Sequence, residues 1–321
     1  MKNGRIVWEL LGAGIGAGLA SGREIASFFS VYGGWSWAGI AAAAAVMMLL
    51  LPAGEPVRWR GRWPGGMWRG LRALLLLTTG GAMAAGAGEL TALLLPVRGA
   101  YWLGLAGMLA GAWLLAHRMR SGLAWISALM LAAMAVVLLA GMQSPPMRAV
   151  VLTRRHPAEA ILKGMTYGGF NAALMHPILE GAVLDARSRR RPAIAACTAF
   201  GLLLAGGNAV LMQHPALIAE PMPFVKLTAA YGRMGYVLSA LSLLLAILST
   251  LTACIRALGQ RMLPVGVMVL TEMLGFCGVV DAAYPAVGAV CVLMLGAMRT
   301  RSASNFRNCA RKAFLSQRDM V

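Results

Sequence analysis

The sequence predicts an all-α integral membrane protein. It has about ten transmembrane helices, set out as a five-plus-five inverted repeat with helices 1 and 6 discontinuous. Three observations carry that prediction. The 321 residues are 59% hydrophobic and 12% charged, with a mean hydropathy of +0.71, which excludes an ordinary soluble domain. Apolar stretches long enough to cross a bilayer recur from end to end. Two of them, in matching positions, are interrupted by glycine clusters.

The apolar segments fall near 6–31, 35–53, 71–95, 99–117 and 122–143, then 158–184, 193–212, 234–258, 262–279 and 282–298. The Pro-rich connection from Pro145 to Glu159 divides them five and five. The first repeat is therefore 1–144, the second 145–298, and 299–321 is a polar, basic cytoplasmic tail. Since five is odd, the second repeat enters from the opposite side, and the halves are inverted. Segment 214–233 is less apolar and reads as an outer loop with a short surface helix. Lys2 and Arg5 before an apolar run imitate a signal peptide, but the run is Gly-rich and continues past Glu24, so it is a retained first helix.

The formal charge of +18 sits mainly in the connections. With the N-terminus inside, the inner segments hold 21 of the 29 Lys and Arg, from Lys2 and Arg5 to the cluster after Arg299. Both termini are thereby cytoplasmic, in a bacterial cytoplasmic membrane with the bilayer as principal partner. Nucleic acid is excluded as a partner by that same placement. Five scattered cysteines without a CxxC pair exclude a disulfide framework and a zinc site. Met130 with Met134 imitates a copper pair, but in a chain with 22 methionines this reads as packing. Ser21 and His176 lack the GxSG of a serine hydrolase, and no enzyme is expected.

Gly12 to Gly22 carries the densest glycine run, answered in the second repeat by Gly164 to Asn171. Irregular backbone at membrane depth survives only where it lines a cavity or other protein. The alternative is close helix packing, since Gly12/Gly16, Gly14/Gly18 and Gly164/Gly168 are GxxxG pairs. Ile15 lies about 14 Å from the inner end of span one, and Thr250 about 12 Å from that of span eight, at 1.5 Å per residue. The carbonyls of Gly12, Ile15 and Ala246 with the hydroxyls of Ser249 and Thr250 then supply five oxygens, suited to a small hard cation. The alternative is that Ser249, Thr250 and Thr252 bond back to their own helix or to a neighbouring one.

Gly14 to Ile25 with Phe28-Phe29 and Tyr32-Gly33 resembles the signature of the YkvI-like bacterial membrane proteins, and Tyr167 to Asn171 resembles that family's aromatic–Asn segment. That family is similar to the amino acid–polyamine–organocation superfamily, with the LeuT-type fold. The resemblance implies a sodium site made by carbonyls of the broken first helix and an Ala-x-x-Ser-Thr pattern, here Ala246 to Thr250. Sodium is thus the one expected ion, as a coupling ion, and no other cofactor is expected. A second sodium site is not expected, because Leu19 stands where a short hydroxyl or amide is needed.

The substrate pocket is expected between the two breaks, from Gly16, Gly18, Ser21, Tyr167, Gly168, Gly169 and Asn171, with a half-helix N-terminus attracting a carboxylate. Glu24, Glu89 and Glu272 are candidates for proton coupling, since ionisable groups within spans are costly. Glu24 has a simpler alternative in pairing with Arg23, and Glu180 in pairing with arginines. The expected function is a secondary active transporter of a small organic solute, an amino acid being a sensible guess, driven by sodium or protons through alternating access. The alternative is a ligand-sensing receptor subunit on the same scaffold without net transport.

Overall fold

The computed structural model describes residues 2–52, 62–118, 122–145, 156–182, 186–259, 265–266, 268–269 and 278–297. They are helical throughout, with no strand among the described residues. The first apolar segment divides into α1 (Lys2–Gly14), α2 (Ala17–Ser21) and α3 (Arg23–Phe28), and leads through a 3-10 turn (Ser30–Trp35) into α4 (Ser36–Leu50). Four long helices follow: α5 (Arg62–Leu94), α6 (Ala100–Arg118), α7 (Gly122–Gln143) and α8 (Pro157–Gly181). The chain continues with α9 (Ala186–Gln213), α10 (Pro223–Ala229) and α11 (Gly232–Ala257). A π turn (Val279–Ala283) opens α12 (Tyr284–Ala297).

Six of the described helices are long and apolar enough to cross a membrane, and this is a multi-pass membrane protein. Its packing is that of a protein solvated by lipid. Trp125 (78% exposed), Leu202 (68%), Leu293 (73%) and Leu103 (64%) face outward, while Ser249, Thr250, Asn171 and Asn208 are buried. Large exposed apolar area of this kind is a liability in water and a requirement in a bilayer.

Each break or joint has a local cause. Gly16 is extended (φ −88°, ψ −175°) and its N–H turns to the Gly14 carbonyl, so the α1 ladder ends there and resumes when Ala20 N–H reaches Gly16. Gly22 stands at φ 86° between α2 and α3, a left-handed conformation that glycine takes without strain. At the start of α8, His156 Nδ1 accepts the Ala158 N–H and Pro157 occupies the first turn.

Two expectations are corrected. Helix 6 is not discontinuous: α8 runs unbroken from Pro157 to Gly181. Its glycines serve close approach instead. A Cβ on Gly164 would overlap the Gly39 carbonyl, one on Gly168 would stand 2.5 Å from the Ala43 oxygen, and one on Gly39 2.8 Å from the Ala160 oxygen. The α4 and α8 backbones touch along this GxxxG seam, and that contact, not a break, is why glycine stands there. The short helix within 214–233 is not superficial either. In α10, Pro223, Phe224, Val225, Leu227 and Thr228 are buried, with Phe224 against Gly22 and Gly207.

Candidate cation and substrate site

Breaking α1 frees carbonyls at mid-helix, and α11 meets them with hydroxyls. Thr250 Oγ1 donates within reach of both Gly12 O (3.2 Å) and Ile15 O (3.1 Å). Ser249 Oγ lies 3.1 Å from Gly12 O and 3.0 Å from Ala246 O. Gly12, Ile15, Ala246, Ser249 and Thr250 are thus brought together, and all five are buried. Ser249 and Thr252 also follow the bland alternative, the latter bonding Leu248 O at 2.6 Å within its own helix. Thr250 follows that alternative in its other form, both of its bonds crossing to the neighbouring α1. Gly12 has no side chain because a Cβ would overlap Ser127 Oγ from α7.

The 3.0–3.2 Å separations are hydrogen-bond distances: the two hydroxyls donate directly to the carbonyls and hold the five oxygens together at the break. The donors are neutral carbonyls and hydroxyls. Among the described residues no group of three or more His, Cys, Asp or Glu exists that would hold a metal ion. All five are hard, neutral oxygens, a donor type that hard cations accept.

The second polar focus is Glu24 on α3. It does not pair with Arg23, which turns outward to an ion pair with Asp281. The Glu24 carboxylate is 3% exposed and accepts the Tyr167 hydroxyl of α8 at 2.6 Å. Its side chain doubles back over α2, so that a Cβ on Gly18 would collide with it. Tyr167 is ringed by Phe28 (centroids 4.8 Å apart), Phe29 (5.2 Å) and Phe200 (6.2 Å).

The other expected site residues disperse. Asn171 is fully buried, spends Nδ2 on Tyr167 O (3.1 Å) and leaves Oδ1 without a partner. Gly168 and Gly169 lie in packing seams against Ala43 and Val292. Ser21 Oγ bonds Gly18 O at 3.1 Å, within its own turn. Gly16 faces Met83 rather than an anion site, and the adjacent Ala17 N–H is spent on the Met83 sulfur at 3.2 Å. A half-helix of five residues with that N–H already bonded does not supply the carboxylate trap expected of it. Glu89 is half-buried on α5, and Glu272 lies outside the described residues. Glu180 pairs with Arg72 as expected, with His176 Nδ1 3.3 Å away. Ser21 and His176 therefore serve different partners.

Two cavities flank this middle. One of about 580 Å³ opens among Arg5, Glu9, Ile178 and Arg256, at the start of α1 and the ends of α8 and α11. The other, about 570 Å³, lies among Arg23, Ser27, Phe28, Lys163, Ile218 and Asp281, between α3, the start of α8 and the π turn. Between them Leu10, Ile15, Leu19 and Ile25 are fully buried.

Sequence reasoning missed Met83, which satisfies the broken helix with a thioether and carries no signal among so many methionines. It also missed Asn208 of α9, which accepts from Ser30 and donates to Ser36, both at 2.9 Å, pinning the turn after α3. A lone Asn within an apolar run was the available signal.

No protein-family model and no curated protein matches the chain. Solved structures do. Two crystal structures of an Eremococcus coleocola manganese transporter, one in complex with an aromatic bis-isothiourea substituted compound and one of a point mutant, align at 15% identity. Their TM-scores are 0.50 and 0.52, and each alignment covers 94% of this chain and 72% of the transporter. At that identity the likeness is one of fold: this chain is similar to a membrane transporter in architecture.

Proposed function

We propose that this protein is a secondary active transporter of a small organic solute, coupled to sodium or protons by alternating access, on the five-plus-five inverted repeat of LeuT-type transporters. The observation that carries the proposal is the meeting of Gly12 O, Ile15 O, Ala246 O, Ser249 Oγ and Thr250 Oγ1 at a mid-membrane helix break. These oxygens join α1 to α11, so a cation held there favours the arrangement in which the two helices are docked. That is how ion binding is converted into a population shift. The flanking cavities give each side of the membrane a vestibule, with Leu10, Ile15 and Leu19 as the barrier between them.

Manganese, named as the cargo of the structural neighbours, is not carried over, because the five oxygens gathered at the break are neutral carbonyls and hydroxyls. Sodium at the cage and a proton on Glu24 are the two coupling routes the residues favour. Orientation in a bacterial cytoplasmic membrane with both termini inside follows from the arginine placement.

The test is uptake into proteoliposomes under imposed sodium or proton gradients, with binding measured in parallel. Solute accumulation driven by either gradient is the expected result. Binding without flux would replace transport by the sensing role, and indifference to both ions would remove the cage as a coupling site.

A further inference from the structure

We propose that the cavity between α3, the start of α8 and the π turn binds an organic monoanion, a carboxylate on a short apolar body. What the cavity binds rests on its own residues; that the bound anion is also carried rests on the transporter reading. The walls hold two cations, Arg23 and Lys163, against one acid, Asp281. Arg23 already pairs with Asp281, so the charge of Lys163 stands in excess. Among the described residues no acid pairs with Lys163. Glu159, one turn earlier on α8, accepts the Tyr32 hydroxyl at 2.9 Å. Glu220, whose carbonyl receives Arg23, pairs its carboxylate with Lys226. What Lys163 has is a ring face: its Nζ lies 5.7 Å from the centroid of Phe28, in the cavity wall.

Unused donors at the same wall point the same way. Arg23 Nε and Ser27 Oγ, one turn apart on α3, are buried without a hydrogen-bond partner, and both residues line the cavity. A buried donor left unsatisfied is costly, and a ligand that accepts hydrogen bonds would relieve it. A carboxylate accepts such bonds and brings the missing negative charge, and guanidinium and ammonium groups hold it by charge-assisted bonds. The rest of the wall, with Val31, Ile218 and Val280, is apolar. It suits a hydrocarbon body and would leave the outer oxygens of an inorganic oxyanion unpaired. At about 570 Å³ the cavity has the size of small-molecule sites. A metal ion or an ammonium meets Arg23 and Lys163 as like charges. An amino acid brings an ammonium for which this cavity has no acid to spare, since Asp281 is taken.

The experiment titrates the full chain in non-ionic detergent, at pH 7 and low salt, by isothermal calorimetry. Butyrate and benzoate are compared with 1-butanol, butylammonium, 2-aminobutyrate and inorganic phosphate. One of the two anions should bind at least about tenfold tighter than each of the other four, the worth of one charge-assisted contact. Lys163→Gln should weaken that binding by a similar factor, and Arg5→Gln, which alters the other cavity, should leave it unchanged. No binding of either anion, equal binding of any of the other four, or unchanged binding in Lys163→Gln overturns the proposal. So does a loss in Arg5→Gln that Lys163→Gln does not share, which places the anion in the other cavity. Should Lys163→Gln not fold, Arg23→Gln takes its place: it frees Asp281 to neutralise Lys163, and unchanged binding there refutes the site. Flux separates the two readings. Anion binding without ion-driven flux refutes the transporter and keeps the site, whereas ion-driven flux of other solutes with no anion binding does the reverse.

Discussion

Thr250→Val keeps the shape of the side chain and removes the hydroxyl that ties α11 to the broken α1. The hydroxyl reaches Gly12 O at 3.2 Å and Ile15 O at 3.1 Å, and both carbonyls are buried. Gly12 O keeps Ser249 at 3.1 Å, so Ile15 O is the group left exposed to the cost of desolvation. Hydrogen bonds between membrane helices average ~0.6 kcal/mol and reach ~1.7 kcal/mol, so two of them are worth ~1–3 kcal/mol. At about 1.4 kcal/mol per tenfold, the docked arrangement loses about 5- to 150-fold in relative population. The same change deletes one of five cage oxygens, so the ion response should fall with the stability. The assay is thermal unfolding of the purified variant with and without sodium, beside sodium-dependent ligand affinity. A variant that unfolds like the parent and keeps its ion dependence would refute the argument that these bonds define the site.

Three further outcomes are expected. Gly16→Leu should abolish uptake while the protein still inserts, because even a Cβ there stands 3.1 Å from Met83 Cε; Gly16→Ala should be far milder, since the backbone is extended and Met83 can yield. Uptake and membrane yield, measured together, separate the two effects. Gly164→Leu should cost at least the ~1–3 kcal/mol of an overpacked core, and more if the α4 backbone cannot shift, because the obstacle is the Gly39 carbonyl and not a flexible side chain; yield and melting temperature of the variant read this out. Arg23→Gln and Asp281→Asn, alone and combined, should show non-additive effects on solute entry, since the pair spans the vestibule between α3 and the π turn. Additive rates would mean that the pair is not a latch.

Hydropathy alone determined the membrane class and placed most of the described helices, because lipid imposes the same rule on each span: about 20 apolar residues with the backbone satisfied internally. Even so, α5 and α9 begin nine and seven residues earlier than expected, and most of the expected span 262–279 lies outside the described residues. Depth counting along α1 and α11 was enough to pair Ile15 with Thr250, since helical rise is fixed and α1 starts at the end of the bundle where α11 finishes. Glycine spacing was not enough to tell a break from a seam. Gly12–Gly22 and Gly164–Asn171 look alike in sequence, yet one opens and the other packs against α4, and the difference lies in the partner. Where a thioether and two hydroxyls receive freed backbone groups, the helix can part; where Gly39 and Ala43 press against it, continuity is held. Likewise the direction of Glu24 was settled by Tyr167 and Asp281, which are 143 and 257 residues away in the chain. Contacts so distant in sequence leave no local trace, so only the packed structure could decide them.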